Sequence, residues 1–292
     1  MDELGGRTAV VTGAASGIGR ALAGRFATEG MRVVLADIEK DALDTAAGEL
    51  RAGGVEVLAV PTDVSDGDQV DALAAVAADA FGPVHVLCNN AGVATGGLIS
   101  DLRTSDWAWV LGVNLWGVIH GLRAFLPGML EHGEPGHVIN TASMAGLVAG
   151  PFMAPYGASK FAVVAISESL HHELRMTGSR IGVSVLCPGW VNTRINESDR
   201  NRPDTLAVGR PAATDGAASV LSQMLASGMA PDDVAGKVHD AIREERFWVL
   251  THPEMLPGVE DRMRTILEQS NPELRLGLLG AQPAAPASGS PQ

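Results

Sequence analysis

Residues 12–19 read Thr-Gly-Ala-Ala-Ser-Gly-Ile-Gly and join an apolar run at 8–12 to a helical pattern at 17–29. Three glycines in such a turn permit a sharp reversal and a close approach of backbone to a phosphate. The helix that follows presents free N–H groups and the positive end of its dipole. A glycine trio alone also fits an ordinary loop, but its place between a strand and a helix predicts a dinucleotide-binding turn. The predicted contacts in this turn are Gly13, Ser16, Gly17, Ile18 and Gly19.

Short apolar runs alternate with longer helical patterns along the rest of the chain. The runs are near-continuous Val, Ile and Leu, as in parallel strands covered on both faces. This alternation predicts an α/β fold, a doubly wound Rossmann-type parallel sheet of about seven strands with helices on both faces. The strands are predicted at 8–12, 32–36, 56–60, 84–88, 137–141, 182–187 and 247–251, and helices at 17–29, 40–51, 66–81, 105–130 and 155–177.

No internal repeat or long linker interrupts the alternation, so residues 1–280 are predicted to form a single domain. Segment 188–231 is the exception, since it is rich in Gly, Pro, Asn and Arg and holds one helical pattern, at 215–226. A segment of this kind after a late strand is typical of a lid or binding loop. Residues 281–292 contain mainly Ala, Pro, Ser and Gly and are predicted to be a disordered tail.

Composition argues against several classes of protein. The 292 residues are 46% hydrophobic and 19% charged, as in ordered globular proteins. A net charge of −13 without a Lys/Arg cluster argues against nucleic acid or an anionic membrane as a partner. We find no signal-peptide pattern and no unbroken apolar run of about 18 residues. Cys88 and Cys187 lie in apolar strand patterns, as buried thiols do. We therefore expect a cytoplasmic location.

Asp37 follows the second predicted strand, 18 residues after Gly19. A carboxylate there accepts hydrogen bonds from the adenosine ribose hydroxyls and repels a 2′-phosphate, although Asp is also a common turn residue after a strand. Neither the glycine-rich turn nor Ile38 supplies a basic group for such a phosphate. The sequence therefore favours NAD over NADP, while Arg20, just past the turn, keeps NADP open.

Tyr156-Gly157-Ala158-Ser159-Lys160 lies near the start of a helical pattern, where residues four apart share a face. A phenol ionises near pH 10, and a neighbouring ammonium favours the phenolate, so Lys160 could prepare Tyr156 as a general acid and base. Such a pair also occurs by chance on many helices. Tyr156 is, however, the only tyrosine, and Lys160 is one of three lysines against 18 arginines.

Taken together, these motifs resemble the short-chain dehydrogenase/reductase family in its single-domain form. They cover residues 7 to about 195 in the family's order and spacing. The motifs are residues 12–19, Asn89-Asn90-Ala91-Gly92 after the fourth strand, Asn114, Ser143 after the fifth strand, Tyr156 with Lys160, and Pro188-Gly189 after the sixth strand.

The resemblance implies four catalytic residues. Ser143 would hold the substrate oxygen, and Tyr156 would exchange a proton with it while a hydride moves between substrate and nicotinamide. Lys160 would bind the nicotinamide ribose and depress the Tyr156 pKa, and Asn114 would anchor a water that links Lys160 to solvent. No metal is expected, because phenol and hydroxyl together polarise the carbonyl.

The resemblance also implies where the dinucleotide lies. Asp63 and Val64 would flank the adenine, Asn90 would help hold the ribose side, and Thr193 would reach the nicotinamide carboxamide. The remaining predicted cofactor contacts are Ile38, Ala91, Gly92, Pro188, Gly189 and Val191.

The substrate is expected beyond the carboxyl ends of the strands, as the general rule for open α/β sheets requires. The candidate walls are mostly apolar, which favours a neutral, fairly hydrophobic secondary alcohol or ketone. The predicted substrate contacts are Ser143, Ala145, Phe152, Met153, Tyr156 and Trp190.

Three functions compete on this fold. An NAD-dependent dehydrogenase uses all four catalytic residues, whereas a non-catalytic dinucleotide-binding regulator has no need of them. An epimerase or dehydratase of the extended relatives would carry a differently spaced glycine motif and a larger C-terminal domain.

The resemblance also implies a homotetramer, or a homodimer, paired through the helices at 105–130 and 155–177. Their apolar faces exceed what one sheet face requires, and a contiguous exposed apolar patch demands a partner. These faces hold Trp107, Val110, Leu111, Val118, Phe161, Val164 and Ile166.

Overall fold

The computed structural model describes residues 3–207 and 222–273. Seven parallel strands form one sheet in the order β3-β2-β1-β4-β5-β6-β7, which confirms the predicted doubly wound fold. Each predicted strand overlaps an observed one. The strands are β1 Thr8–Thr12, β2 Arg32–Asp37, β3 Val57–Pro61, β4 Val86–Asn89, β5 Gly136–Thr141, β6 Ile181–Cys187 and β7 Trp248–Leu250.

Eight α-helices can be numbered along the described residues, and α7 and α8 were not among those predicted. They are α1 Gly17–Thr28, α2 Lys40–Ala52, α3 Gly67–Phe81, α4 Thr104–Leu111, α5 Gly117–Glu131, α6 Ala154–Met176, α7 Pro231–Arg243 and α8 Leu256–Leu267. Of the helix predicted at 215–226, residues 222–226 are helical, and the rest lies outside the described residues. The tail predicted at 281–292 also lies outside them.

The alternation of side chains along each strand divides the apolar core between the two faces of the sheet. Ala9 and Val11 of β1 pack in one core with residues of α1, α2 and α7, such as Leu22. Val10, between them, packs in the other core with residues of α3, α5 and α6, such as Phe125. Both faces of the sheet are therefore covered, which explains why the strands contain so few polar residues.

The prediction of a single helix at 105–130 is wrong in one respect, because a π-helical turn, Gly112–Trp116, separates α4 from α5. Asn114 lies in this turn and is fully buried. Gly117 follows it, and a Cβ on Gly117 would lie 2.8 Å from Val64 Cγ2, so the chain needs glycine for this close approach. π-Turns inside α-helices are often found at functional sites.

By length and composition alone, the continuous helical stretch Thr104–Glu131 could cross a membrane. Within this fold it packs against the sheet and its neighbouring helices. Phe125 and Met129 are buried in the core on that face, and Arg123 forms an ion pair with Asp71 of α3. Core packing therefore accounts for part of the apolar composition, since 39% of the most apolar window is buried, while Trp116 and Leu130 are about half exposed.

Candidate active site

A long cleft opens at the carboxyl ends of the strands, where the strand order reverses between β1 and β4. Open α/β sheets bind ligands at this switch point. The cleft encloses about 1930 Å³ of empty space when its open mouth is counted. It runs from Asp37 and Ile38 at one end to Met153 and Trp190 at the other.

The glycine-rich turn forms the floor of the cleft. Gly13 and Gly17 adopt positive φ angles of 67° and 53°, a region that favours glycine. A Cβ on Gly13 would lie 2.8 Å from the Cα of Ala91, so the turn after β1 touches the turn after β4. Gly19 does not line the cleft. It is buried under the turn, where a Cβ would lie 2.1 Å from Gly13 O, so its role is packing.

Hydrogen bonds also join these two turns. The Thr12 hydroxyl accepts from the backbone N–H groups of Asn90 and Ala91, at 2.9 and 3.1 Å. Asn90 Nδ2 donates to the Thr12 carbonyl at 3.0 Å. The Asn90 side chain therefore holds the turn after β4 against the glycine-rich turn.

Asp37 ends β2 and faces the glycine-rich turn. Its Oδ2 accepts from Ala15 N and its Oδ1 accepts from Glu39 N, both at 2.9 Å. Burial raises the pKa of Asp37, and these N–H donors oppose the shift. Each carboxylate oxygen keeps a further lone pair for a ligand hydroxyl. Asp37 thus already orders the turn and can still accept hydrogen bonds from a ribose.

Ser143, Tyr156 and Lys160 come together midway along the cleft wall. Tyr156 and Lys160 project from one face of α6, with the ammonium 5.6 Å from the phenol ring centre, and Ser143 follows β5. The Ser143 side chain lies close enough to the Tyr156 phenol to lower its pKa, while Ser143 Oγ donates to the Pro188 carbonyl at 3.4 Å and accepts from Ala145 N at 3.1 Å. The phenol and the serine hydroxyl can therefore meet the same substrate oxygen.

Burial dominates the ionisation of this group. It raises the pKa of Tyr156 above its ordinary value near 10, and the Ser143 side chain opposes that shift. Burial also lowers the pKa of Lys160 to about 8, although Nζ donates to the Thr141 carbonyl at 2.8 Å. The protein without a bound cation thus disfavours the phenolate.

Asn114 lies behind the cleft wall and does not line the cleft. Its side chain brackets Val93, accepting from the backbone N–H at 2.8 Å and donating to the carbonyl at 2.9 Å. It also donates to Ser159 Oγ at 3.1 Å, and Ser159 lies next to Lys160 on α6. The Asn114 side chain therefore connects the π-turn to the loop after β4 and to α6.

Other predicted cofactor contacts also line the cleft, namely Ser16, Ile18, Asp63, Val64, Gly92, Pro188, Gly189, Val191 and Thr193. Gly189 is held from behind by a residue that the sequence did not single out. Its backbone N–H donates to His252 Nδ1 at 3.1 Å, and a Cβ on Gly189 would lie 2.6 Å from that imidazole. His252 follows β7, 63 residues further along the chain.

The substrate end of the cleft is apolar, as predicted, but Phe152 does not line it. Ala145, Met153 and Trp190 do. Phe152 adopts a φ of 64° and is 52% exposed, and its carbonyl accepts a hydrogen bond from Gly97 N at 2.9 Å. Five apolar residues that were not predicted complete the wall, namely Trp109, Val113, Val148, Leu225 and Met255.

The described part of the predicted loop at 188–231 includes a segment that crosses the cleft, residues 195–207, which we call the strap. It contains two short 3-10 helices, Ile195–Asn201 and Asp204–Leu206. Ser198 Oγ accepts from Ala94 N at 3.2 Å, and Arg200 and Asn201 reach Glu39 on the opposite side. The strap therefore contacts the loops that follow β4 and β2.

Comparison with known proteins identifies this arrangement. The family model of the short chain dehydrogenases matches residues 7–204. The chain belongs to the short-chain dehydrogenase/reductase family. The matched range includes the glycine-rich turn, the Ser143, Tyr156 and Lys160 group and most of the strap. The protein is thus an oxidoreductase of this family, whose members bind a nicotinamide dinucleotide.

Among characterised members of the family, the chain is 42% identical to 1-deoxy-11-beta-hydroxypentalenate dehydrogenase of Streptomyces exfoliatus over 258 residues, which cover 88% of this chain and 86% of that protein. It is 33% identical to the CLA biosynthesis dehydrogenase/reductase of Lactiplantibacillus plantarum over 281 residues, 94% of this chain and 98% of that one. A short-chain dehydrogenase/reductase from Burkholderia phymatum in complex with NAD superposes with a TM-score of 0.92 at 47% identity, covering 94% of this chain and 99% of that one.

Proposed function

We propose that this short-chain dehydrogenase/reductase interconverts a secondary alcohol and a ketone, with NAD(H) as the hydride carrier. The observation that carries the proposal is the group of Ser143, Tyr156 and Lys160, which line one cleft together next to apolar side chains, with the Lys160 ammonium 5.6 Å from the phenol ring centre. A bound nicotinamide accepts the hydride from the alcohol carbon, or returns it to the ketone.

The residues would divide the proton transfer as follows. Ser143 Oγ orients the substrate oxygen, and the Tyr156 phenol removes its proton during oxidation or donates one during reduction. The Lys160 ammonium, 5.6 Å from the ring centre, favours the phenolate by its charge. The positive charge of an oxidised nicotinamide acts in the same direction, against the burial that raises the Tyr156 pKa.

Several groups suit a nicotinamide dinucleotide in this cleft. The glycine turn provides backbone close to the pyrophosphate, and a Cβ on Gly13 or Gly17 would collide with Ala91 or Thr193. Asp37 and Ile38 line the adenosine end. A carboxylate at the ribose hydroxyls favours NAD over NADP, and the Burkholderia phymatum relative is an NAD complex.

We propose a neutral, fairly hydrophobic substrate, because the wall beyond Tyr156 is built from Trp109, Val148, Met153 and Trp190. The name of one relative, a dehydrogenase of a hydroxypentalenate, is consistent with the oxidation of an alcohol. The presence of Ser143, Tyr156 and Lys160 in one cleft supports this function over a non-catalytic regulator. The single sheet and the spacing of the glycine-rich turn, which is that of the short-chain family, favour an alcohol dehydrogenase over an epimerase.

Absorbance of NADH at its characteristic wavelength tests the proposal directly. Purified protein is mixed with NAD⁺ and a panel of apolar secondary alcohols, or with NADH and the matching ketones, and products are identified by mass spectrometry. We expect turnover with at least one pair, lowered by about 10³-fold or more in Tyr156→Phe because the proton transfer group is lost. Phe152→Leu, a change outside the cleft, is the matched control and should stay within about twofold. Full turnover by Tyr156→Phe would contradict the proposal.

A further inference from the structure

The strap is attached across the cleft by two ion pairs of different burial. Arg202 forms an ion pair with Asp106 of α4, and both side chains are almost completely buried. Its guanidinium lies 4.7 Å from the ring centre of Trp109, which lines the substrate end. Arg200 pairs with Glu39 at 2.6 Å, and about a quarter of each side chain is exposed.

The Arg200–Glu39 pair lies at the adenosine end of the cleft. Glu39 comes two residues after Asp37, in the connection between β2 and α2, and both residues line the cleft. Arg200 and Asn201 line it from the strap side. Glu39 Oε1 accepts from Arg200 Nη2, Arg200 Nε and Asn201 Nδ2, at 2.6, 3.1 and 2.9 Å. A single carboxylate oxygen thus holds three donors from across the cleft.

Arg200 is also fixed within the strap. Its Nη1 donates to the carbonyls of Arg194 and Glu197, at 3.1 and 3.0 Å. These two bonds tie the Arg200 guanidinium to the backbone at the start of the strap. Separating the buried Arg202–Asp106 pair is far more unfavourable than separating the partly exposed Arg200–Glu39 pair.

We propose that Glu39 and Arg200 are further cofactor-binding determinants, a latch over the adenosine end that must open before the dinucleotide leaves. The inference rests on the proposed nicotinamide function. The latch positions the strap and takes no part in the hydride transfer. Because its charges are partly exposed, salt weakens it, whereas the buried Arg202–Asp106 anchor is less affected.

The experiment is stopped-flow release of NADH from the binary complex, followed by its fluorescence, in the absence of substrate. We expect Glu39→Gln and Arg200→Gln each to speed release about three- to fivefold, as the loss of one partly exposed ion pair implies. The double variant should be no faster than either single variant, because the two side chains act through one contact. Raising salt from about 0.05 M to about 0.5 M should speed release from the unmodified protein and leave Glu39→Gln nearly unchanged.

Glu244→Gln is the matched control, because it removes the exposed ion pair with Arg246, remote from the strap. Its NADH release should equal that of the unmodified protein. Three results would overturn the latch and leave the proposed function intact. They are unaltered release from Glu39→Gln, strictly additive effects in the double variant, and an effect of Glu39→Gln without one of Arg200→Gln. An unmodified protein that binds neither NADH nor NADPH would overturn the proposed function, and the latch with it.

Discussion

At the scale of single residues, the Asp37 carboxylate has two tasks. It orders the glycine-rich turn through Ala15 N, and it lines the cleft where an adenosine ribose would lie. The neighbouring Ile38 is 46% exposed and offers no charge to a phosphate. We therefore propose that Asp37 and Ile38 favour NAD over NADP, although the Arg200 guanidinium at the same end of the cleft, which Glu39 binds, also bears on that choice.

We expect the unmodified protein to bind NAD at least tenfold more tightly than NADP, since Asp37 repels a 2′-phosphate. Asp37→Ala should narrow the difference, and adding Ile38→Arg should reverse it by supplying a cation for the phosphate. Fluorescence titration of NADH and NADPH measures both constants. Val76→Arg, which adds the same charge on the outer face of α3, should not change the ratio. Equal affinity of the unmodified protein for both cofactors would refute this role of Asp37.

The ionisation of Tyr156 can be followed without interference, because it is the only tyrosine. In the protein without cofactor, burial raises its pKa above 10, and the tyrosinate absorbance should appear only above that pH. Bound NAD⁺ should bring the midpoint clearly below 10, since two positive charges then favour the phenolate. A two-unit shift would correspond to about 2.7 kcal/mol.

Lys160→Met is the variant that tests the cause of this shift. It should move the midpoint in the NAD⁺ complex upward, because the ammonium near the phenol is lost. Lys40→Met, which removes an exposed lysine paired with Asp44, is the control and should leave the midpoint unchanged. A midpoint at or above 10 in the NAD⁺ complex of the unmodified protein would leave Tyr156 as a packing residue.

At the scale of elements, the strap depends on its buried anchor. Arg202→Met should lower the free energy of unfolding by about 3 kcal/mol, because it leaves the Asp106 carboxylate buried without its partner. Urea unfolding measures the loss. Arg246→Met breaks an exposed pair and should lower that free energy by less than about 1 kcal/mol. Similar losses in the two variants would show that the burial of the Arg202 pair has no energetic effect.

The secondary-structure elements differ in how well the sequence predicts them. The strands and the turn at 12–19 follow from local sequence patterns, so the sequence predicted their positions. The strap contact joins Glu39 to a residue 161 positions away, and no local pattern records it. The π-turn at Asn114 adds a small local distortion to an unbroken helical pattern, so periodicity missed it. Phe152 lies close to Tyr156 in sequence, but its positive φ turns it out of the cleft.

At the scale of the whole molecule, the described residues share one sheet with two cores on its opposite faces. We propose that residues 1–280 fold as one domain, as the uninterrupted alternation of strands and helices predicts. Cys88 in β4 and Cys187 in β6 are buried as free thiols, as the sequence indicated.

The predicted pairing of subunits through α4, α5 and α6 stays a prediction, on a smaller surface than the sequence suggested. Val110, Val118 and Val164 are buried inside the chain, so they cannot contact a partner. Trp107, Leu111, Phe161 and Ile166 are half-buried, and Arg262 of α8 lies 4.9 Å from the Phe161 ring centre. Trp116, in the π-turn between α4 and α5, is 51% exposed.

We expect light scattering to give the mass of a tetramer at micromolar concentration, or of a dimer, because an exposed indole among half-buried apolar side chains favours a partner subunit. Trp116→Glu should shift the protein to smaller assemblies by placing a charge in that contact. Met176→Glu, at the exposed end of α6, is the matched control, and its assembly should not change. A monomer for the unmodified protein would contradict the pairing. An unchanged mass for Trp116→Glu would instead place the contact on another face, because a buried carboxylate without a partner does not survive in an interface.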